Sequence, residues 1–384
     1  MPLTLTEEQD MLSRSAAEFL ADRASIAQFR VWRERSRECA FDAELWREIA
    51  LMGWPGIAIS ESLGGAGLGL AGLGVVLEQL GRHLSVTPMN STVLGGATAI
   101  QLLGRAEEQA ALLPQIIAGS LTLSLAWDER PHFDLFRVET TARSTANGWL
   151  LNGCKRGIAD VSSVDRFLVV CRLSGEAGDR AGLGVFIVPQ DAAGLRIEVT
   201  PMVDGRNCGE IVLDGVELGA EALLGGAAAS ATALEQLADI INAGLAAELL
   251  GISEEAFART LRYLKERSQF GKLIGSYQAL QHRAANWFVE LQLARSLVQE
   301  ALLALDAEPG SSLAKQGPAL ASMAKAKASQ VAELATNEAI QMHGGIGMTD
   351  AHDIGLFIKR ARTLEQAFGD QSYHLDRVAS LEGY

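Results

Sequence analysis

Two short segments place cations, amides and closely spaced glycines side by side. The first is Arg267-Ser268-Gln269-Phe270-Gly271-Lys272, followed by Gln278 and Gln281. An Arg at a helix end, a Phe-Gly turn and glutamines heading the next helix supply a forked cation and amide donors. That set suits a pyrophosphate and the edge of an adenine. The same residues also read as an Arg capping helix carbonyls, with glutamines on a solvated face. The second segment is Gln341-Met342-His343-Gly344-Gly345-Ile346-Gly347. Paired glycines let backbone N–H groups approach a phosphate closely. Alone, they also read as a helix stop.

Other chemistries find little support. No P-loop, HExxH, GxSxG or EF-hand pattern occurs. The histidines stand at His83, His132, His282, His343, His352 and His374, and none pairs with a second ligand at helical spacing to hold a metal. Nothing points to a Ser/His/Asp triad. The stretch from Gly64 to Gly74 carries Gly65, Gly67 and Gly69, but no strand precedes it in a βαβ unit. It reads as a loop where two helices approach closely. Cys39, Cys154, Cys171 and Cys208 lie far apart without a CxxC, which argues for reduced, packed thiols.

The chain has 384 residues, with 33 Lys plus Arg against 47 Asp plus Glu, a formal charge of −14. Hydrophobic residues make up 48% and charged residues 21%, an ordinary globular balance. The acidic balance argues against nucleic acid and gives no attraction to an anionic membrane. A local cluster of Arg and Lys still permits an anionic small ligand. The beginning, MPLTLTEEQDML, lacks a signal layout, and Thr232 to Leu250 is interrupted by Glu235, Asp239, Asn242 and Glu248. A cytoplasmic protein in a reducing compartment is the expectation.

Three textures follow one another along the chain. Residues 1–118 read as a helical domain, with Thr6 ahead of Gln9 as a capping start and Phe41 to Met52 at helical spacing. Residues 119–225 read as a β domain, an antiparallel barrel or sandwich. Its short strand-forming runs are Leu121–Ala126, Trp149–Leu151, Arg166–Cys171, Gly184–Val188, Leu195–Thr200 and Glu210–Leu213, separated by turn pairs such as Asn147-Gly148 and Asp214-Gly215. Residues 226–384 read as a four-helix bundle. Leu234, Leu237, Ile241 and Leu245 make one apolar stripe, and Glu254–Arg267, Leu280–Ala304, Leu320–Gln341 and Asp353–Phe368 are helical, with a loop over Glu308–Pro318. The class is α+β.

Taken together, in this order, the segments resemble the acyl-CoA dehydrogenase family over the whole chain. Ile59-Ser60-Glu61-Ser62-Leu63-Gly64-Gly65 is similar to its P-E-x-x-G-G loop, and Leu151-Asn152-Gly153-Cys154-Lys155 to its L-N-G-x-K entry. The R-x-x-F-G and Q-x-x-G-G-x-G segments resemble its C-terminal signatures. The resemblance implies a flavoprotein tetramer that binds FAD and an acyl-CoA and removes an α hydrogen and a β hydride. It implies an electron-transfer flavoprotein as acceptor and a place in acyl-CoA or lipid catabolism. Residue by residue, Arg267, Phe270, Gln278, Gln341, Gly344 and Gly345 would hold the ADP half of FAD, the last three typically from the neighbouring subunit.

The chain departs from the family where the flavin ring and the base belong. Where the family has T-E-P-x-x-G-S-D, this sequence has Trp127-Asp128-Glu129-Arg130-Pro131-His132-Phe133-Asp134; K-x-W-I-T-N becomes Lys155-Arg156-Gly157-Ile158-Ala159-Asp160. The usual base position falls on Phe368, and the minority position, on the first bundle helix, falls on Ile241. Two substitutes are Glu248, on the apolar stripe where burial would raise its pKa, and Glu365, three residues before Phe368. Either also reads as the partner of a nearby Arg such as Arg267 or Arg362, and Asp239 is a third candidate off the stripe. Three functions remain open. One is an FAD-dependent dehydrogenase with an unusual pocket, suited to methyl- or ring-bearing substrates. The second is a half-catalytic partner subunit donating the ADP half of the site to a paralogous chain. The third is non-redox chemistry on a CoA thioester.

Overall fold

The structure, a computed structural model, describes residues 5–35 and 38–384; the beginning of the N-terminal reading, Met1–Thr4, lies outside them. In chain order the helices are α1 (Glu7–Arg23), α2 (Ile26–Arg33), α3 (Ala43–Leu51), α4 (Gly69–His83), α5 (Thr98–Leu103) and α6 (Ala106–Ile117). The strands follow as β1 (Leu123–Ala126), β2 (Thr141–Thr145), β3 (Gly148–Ala159), β4 (Arg166–Arg172), β5 (Leu183–Pro189), β6 (Leu195–Pro201) and β7 (Asn207–Leu218). Then come α7 (Ala231–Glu266), the short hairpin β8 (Ser268–Gln269) and β9 (Lys272–Leu273), α8 (Gln278–Leu305), α9 (Ser312–His343), α10 (Ile354–Gln366) and α11 (Gln371–Leu381). No helix among the described residues is long and apolar enough to cross a membrane.

By packing, the chain forms two compact units. One holds Val31–Gly69 and Val86–Ile241. Its centre is a seven-stranded sheet in the order β1-β4-β2-β3-β7-β6, with β5 on β4. Most pairings are antiparallel, while β1 and β2 meet β4 in parallel. Inward residues such as Phe167, Val169, Phe186, Ile211 and Leu213 form the buried core. Strand β2 was not among the expected runs. Its Thr-Ala-Arg-Ser-Thr sequence buries only Ala142 and carries little apolar signal. Beside the sheet, Met89–Ala97 winds as a π-helix, and Thr92 Oγ1 bonds both the carbonyl and the N–H of Leu123.

The other unit holds the chain up to Arg30, Leu70–Ser85 and Asn242–Tyr384. α1 begins with the expected capping box between Thr6 and Gln9. α7 runs unbroken through Gly251, where the sequence reading starts a separate helix at Glu254. That glycine is a packing device rather than a stop: a Cβ there would lie 1.9 Å from the Glu78 carbonyl, and one at Gly81 2.2 Å from the Glu248 carbonyl. The two glycines let α4 and α7 touch backbone to backbone. α9 starts at Ser312, capped by Ser311 onto Ala314 N, so Pro318 lies inside a helix where a loop was expected. A further helix, α11, follows Asp370, whose carboxylate caps it at Tyr373 N.

Candidate functional site

In the helical unit, α7 ends at Glu266 and the chain makes a two-residue hairpin, with Ser268 opposite Leu273 and Gln269 opposite Lys272. Its two central residues both have positive φ, Phe270 at 52° and Gly271 at 77°. That is the backbone of a tight primed turn, which a phenylalanine adopts only under strain. Phe270 is also 90% exposed, so no burial within the chain offsets that strain. Lys272 Nζ stands 4.1 Å over the Tyr277 ring, fixing the second arm of the hairpin. Arg267, at the head of the hairpin, is exposed, and its backbone joins Tyr263 and Ile274. Its guanidinium is not spent on the helix carbonyls. Gln278, the first residue of α8, is exposed as well.

The second signature ends α9. Tyr263, one turn before Arg267, stacks on His343 at 4.4 Å between ring centres, and its hydroxyl reaches the His343 carbonyl. This contact joins the last turn of α7, just ahead of Arg267, to the end of α9 within one unit. His343 Nδ1 bonds Ala339 O, and His352 packs 4.5 Å from the same ring. Burial lowers the His343 pKa below the ordinary imidazole value. The glycines that follow divide into two kinds. A Cβ at Gly347 would meet Ile340 O at 2.7 Å, so packing alone explains that glycine. A Cβ at Gly344 or Gly345 meets nothing within 4 Å, and both lie exposed with Gln341. Arg267, Phe270, Gln278, Gln341, Gly344 and Gly345 thus present a free cation, an uncovered ring, two amides and an open glycine cradle. The residues fit the ADP half of a flavin dinucleotide.

The expected base positions hold no free carboxylate. Glu248 Oε1 lies 3.1 Å from Arg360 Nη1, with the two side chains 3% and 1% exposed. Arg360 also donates to the Ser85 carbonyl. The partner is therefore Arg360, not Arg267 or Arg362. Glu365 does take Arg362, at 2.9 Å, and Arg362 holds Glu333 as well. Ile241 is buried, and Phe368 is half-buried at a positive φ of 54°. The turn carrying Phe368 is anchored by a residue that the sequence reading passed over. Lys325, fully buried on α9, donates to the carbonyls of Glu365, Ala367 and Gly369 at 3.1, 2.9 and 3.0 Å. Burial pulls its pKa down to about 7. His374, on α11, is buried against Ser322 and pushed down to about 3 by burial and by the charges of Lys325 and Arg377. Asp239, expected off the stripe, is buried too.

In the sheet unit, the segment in place of T-E-P-x-x-G-S-D is wired into the protein. Trp127 is 2% exposed, and its indole N–H donates to Leu135 O. Lys155, the lysine of the L-N-G-x-K match, is buried and donates to Trp127 O and Glu129 Oε1. Glu129 also accepts from Glu139 N and Thr140 N, which with Lys155 holds it ionised despite its burial. Between these residues, Asp128 is half-buried, and burial pushes its carboxyl up to about 6. Sequence reading missed it because an Asp beside a Glu looks like surface charge. Gly157, in place of the family's Trp, has nothing within 4 Å of a built Cβ. Asp160, in place of the Asn, is buried with Arg206 at 3.1 Å and Ser91 at 2.6 Å.

The chain is similar to known proteins along nearly its whole length. The N-terminal, middle and C-terminal domains of acyl-CoA dehydrogenases match residues 6–120, 129–216 and 233–381. The acyl-CoA dehydrogenase IpdE2 of Mycolicibacterium smegmatis is 30% identical, covering 97% of this chain and 98% of its own. Acyl-CoA dehydrogenase FadE12 of Mycobacterium tuberculosis is 28% identical, over 93% and 91%. Among solved structures, a variant of the Tcur3481-Tcur3483 steroid ACAD is 32% identical with a TM-score of 0.86, covering 99% and 98% of the two chains. Butyryl-CoA dehydrogenase of Megasphaera elsdenii shares the fold, with a TM-score of 0.89 over 99% of each chain at 23% identity.

Proposed function

Because the chain belongs to the acyl-CoA dehydrogenase family, we propose that it is the cofactor-donating subunit of a heteromeric acyl-CoA dehydrogenase. The carrying observation is an asymmetry. The whole ADP-binding set, from Arg267 to Gly345, is exposed and uncommitted, while Glu248 and Glu365 are ion-paired and Phe368 and Ile241 are apolar. When bound, FAD supplies the acceptor for the hydride leaving the β carbon as the α,β double bond forms. Here Arg267 would bind the pyrophosphate, with Phe270, Gln278, Gln341 and the open glycines around the rest of the ADP half. The α proton goes to a carboxylate of the paralogous chain, and an electron-transfer flavoprotein is the expected acceptor.

Two further observations support this reading. Phe288, Val289 and Leu293 on α8 and Leu375 on α11 expose apolar side chains that a partner chain would cover. The 32% identical steroid ACAD carries a name joining two components, which favours a paralogous partner and a ring-bearing acyl group. The competing reading is a dehydrogenase with its own relocated base, and the raised carboxyl of Asp128 favours it.

The test is the flavin content and visible spectrum of the chain purified alone and with a paralogue that has an intact T-E-x-x-x-G-S-D segment. The proposal expects a colourless chain alone and a flavin in the complex that a ring-bearing acyl-CoA bleaches. About one FAD per chain in the isolated protein, bleached without a partner, sinks it in favour of the second reading.

A further inference from the structure

The helical unit contains a cavity of about 470 Å³ that none of the residues above requires. It lies between α1, α4, α7, α8 and α9, and its apolar walls include Leu250, Val298, Leu302 and Leu313. α4 approaches α8 closely here, since a Cβ on Gly74 would stand 2.4 Å from Leu302. The cavity is far from the ADP-binding set. Gln278 begins α8 and Val298 lines the cavity near the other end of that helix, about 30 Å away at 1.5 Å per residue. Space of this size, lined by aliphatic side chains with a few polar groups, is what a small-molecule site looks like between helices.

The polar groups define the head of the ligand. Three primary amides, Gln9, Gln299 and Gln316, line the cavity. Gln9 has its amide oxygen committed to Thr6 N, which leaves its amide N–H groups to donate. Gln316 donates to Ser312 O, which leaves its oxygen to accept. A head that both donates and accepts therefore fits. The charges argue against an anion: the lining includes Glu78 and Glu300 and no Lys or Arg. They also give a cation little, since Glu78 is already held by Arg295 at 3.1 Å and Glu300 is exposed to water. We propose that this cavity is a second ligand site, taking a neutral aliphatic molecule with a hydroxyl or carboxamide head.

Decan-1-ol is the probe, titrated calorimetrically and by thermal shift into the full chain. The expected result is saturable binding with a rise in Tm, at least tenfold tighter than decanoate or decylamine. Leu313→Trp and, independently, Leu303→Phe should weaken decan-1-ol at least tenfold while ADP binding by the same variants stays unchanged. Failure to saturate, or equal or tighter binding of decanoate or decylamine, overturns the proposal. So does binding that both variants leave intact, or that ADP or an acyl-CoA displaces.

Discussion

Arg360 on α10 and Glu248 on α7 meet at 3.1 Å with almost no exposure to water. Such a pair resists the loss of either member, because the survivor is a buried charge without its counterpart. Glu248→Ala is expected to cost about 3–5 kcal/mol of stability, and Glu248→Gln less, since an amide still accepts from Arg360. Urea unfolding measures both. In the proposed complex with a paralogous chain, flavin bleaching by Glu248→Gln should match the wild type once the variant is folded. A bleaching rate that falls with its pH profile displaced would make Glu248 the base after all.

The proposed ADP-binding set yields a prediction that separates binding from folding. Arg267→Ala should weaken FAD retention by about 1.5–3 kcal/mol, the range for a charge-assisted hydrogen bond. Gly345→Ala places a methyl where nothing lies within 4 Å. Its unfolding midpoint should therefore stay put while FAD retention drops. FAD release from the assembled protein, followed by fluorescence, checks both. Unchanged release from both variants would remove this surface from the cofactor site.

How much of this was legible depended on whether a residue announces itself by its neighbours in the chain. The strands with apolar runs, β4 and β5, were readable, and polar β2 was not. The hairpin segment was readable because Arg267, Phe270 and Gln278 sit close together. The role of Gly251 was not readable because its partner, Glu78, is remote in sequence. The same holds for the chemistry. Arg360 as partner of Glu248, and Lys325 as anchor of the Glu365–Gly369 turn, are contacts across helices that no local spacing encodes.

Asp128 leads to a stability prediction of definite sign. Its carboxyl is raised from 3.8 to about 6, chiefly by burial, with Lys155 opposing. The folded chain thus binds a proton that the unfolded chain has lost between those values, and this group's contribution to stability falls as pH rises from about 4 to about 6. Above that window the cost of the buried charge is fully present. Asp128→Asn removes it, so the variant should be more stable than the wild type at pH 7, by at most about 3 kcal/mol. The gain should vanish near pH 4. Equal stability at pH 7 would mean that the Asp128 carboxylate is well solvated.

Lys325 gives the opposite slope. Burial pulls its pKa down to about 7 in the folded chain, against about 10.4 for a lysine in water. Below pH 7 both states hold the proton, and the folded state bears the whole cost of burying the charge. Between about 7 and 10 the unfolded chain keeps a proton that the folded chain has released, so stability from this group rises with pH. The slope is at most about 1.4 kcal/mol per pH unit. Lys325→Met abolishes that slope. It also strips a side-chain amine from three carbonyls of the Glu365–Gly369 turn, so its overall stability is lower. The decisive quantity is therefore the difference between wild type and variant, followed by urea unfolding from pH 7 to pH 9. A difference that widens with pH supports a lysine poised near neutrality. A constant difference would mean that its ammonium stays charged throughout, held by the three carbonyls with Glu365 and Asp370 nearby.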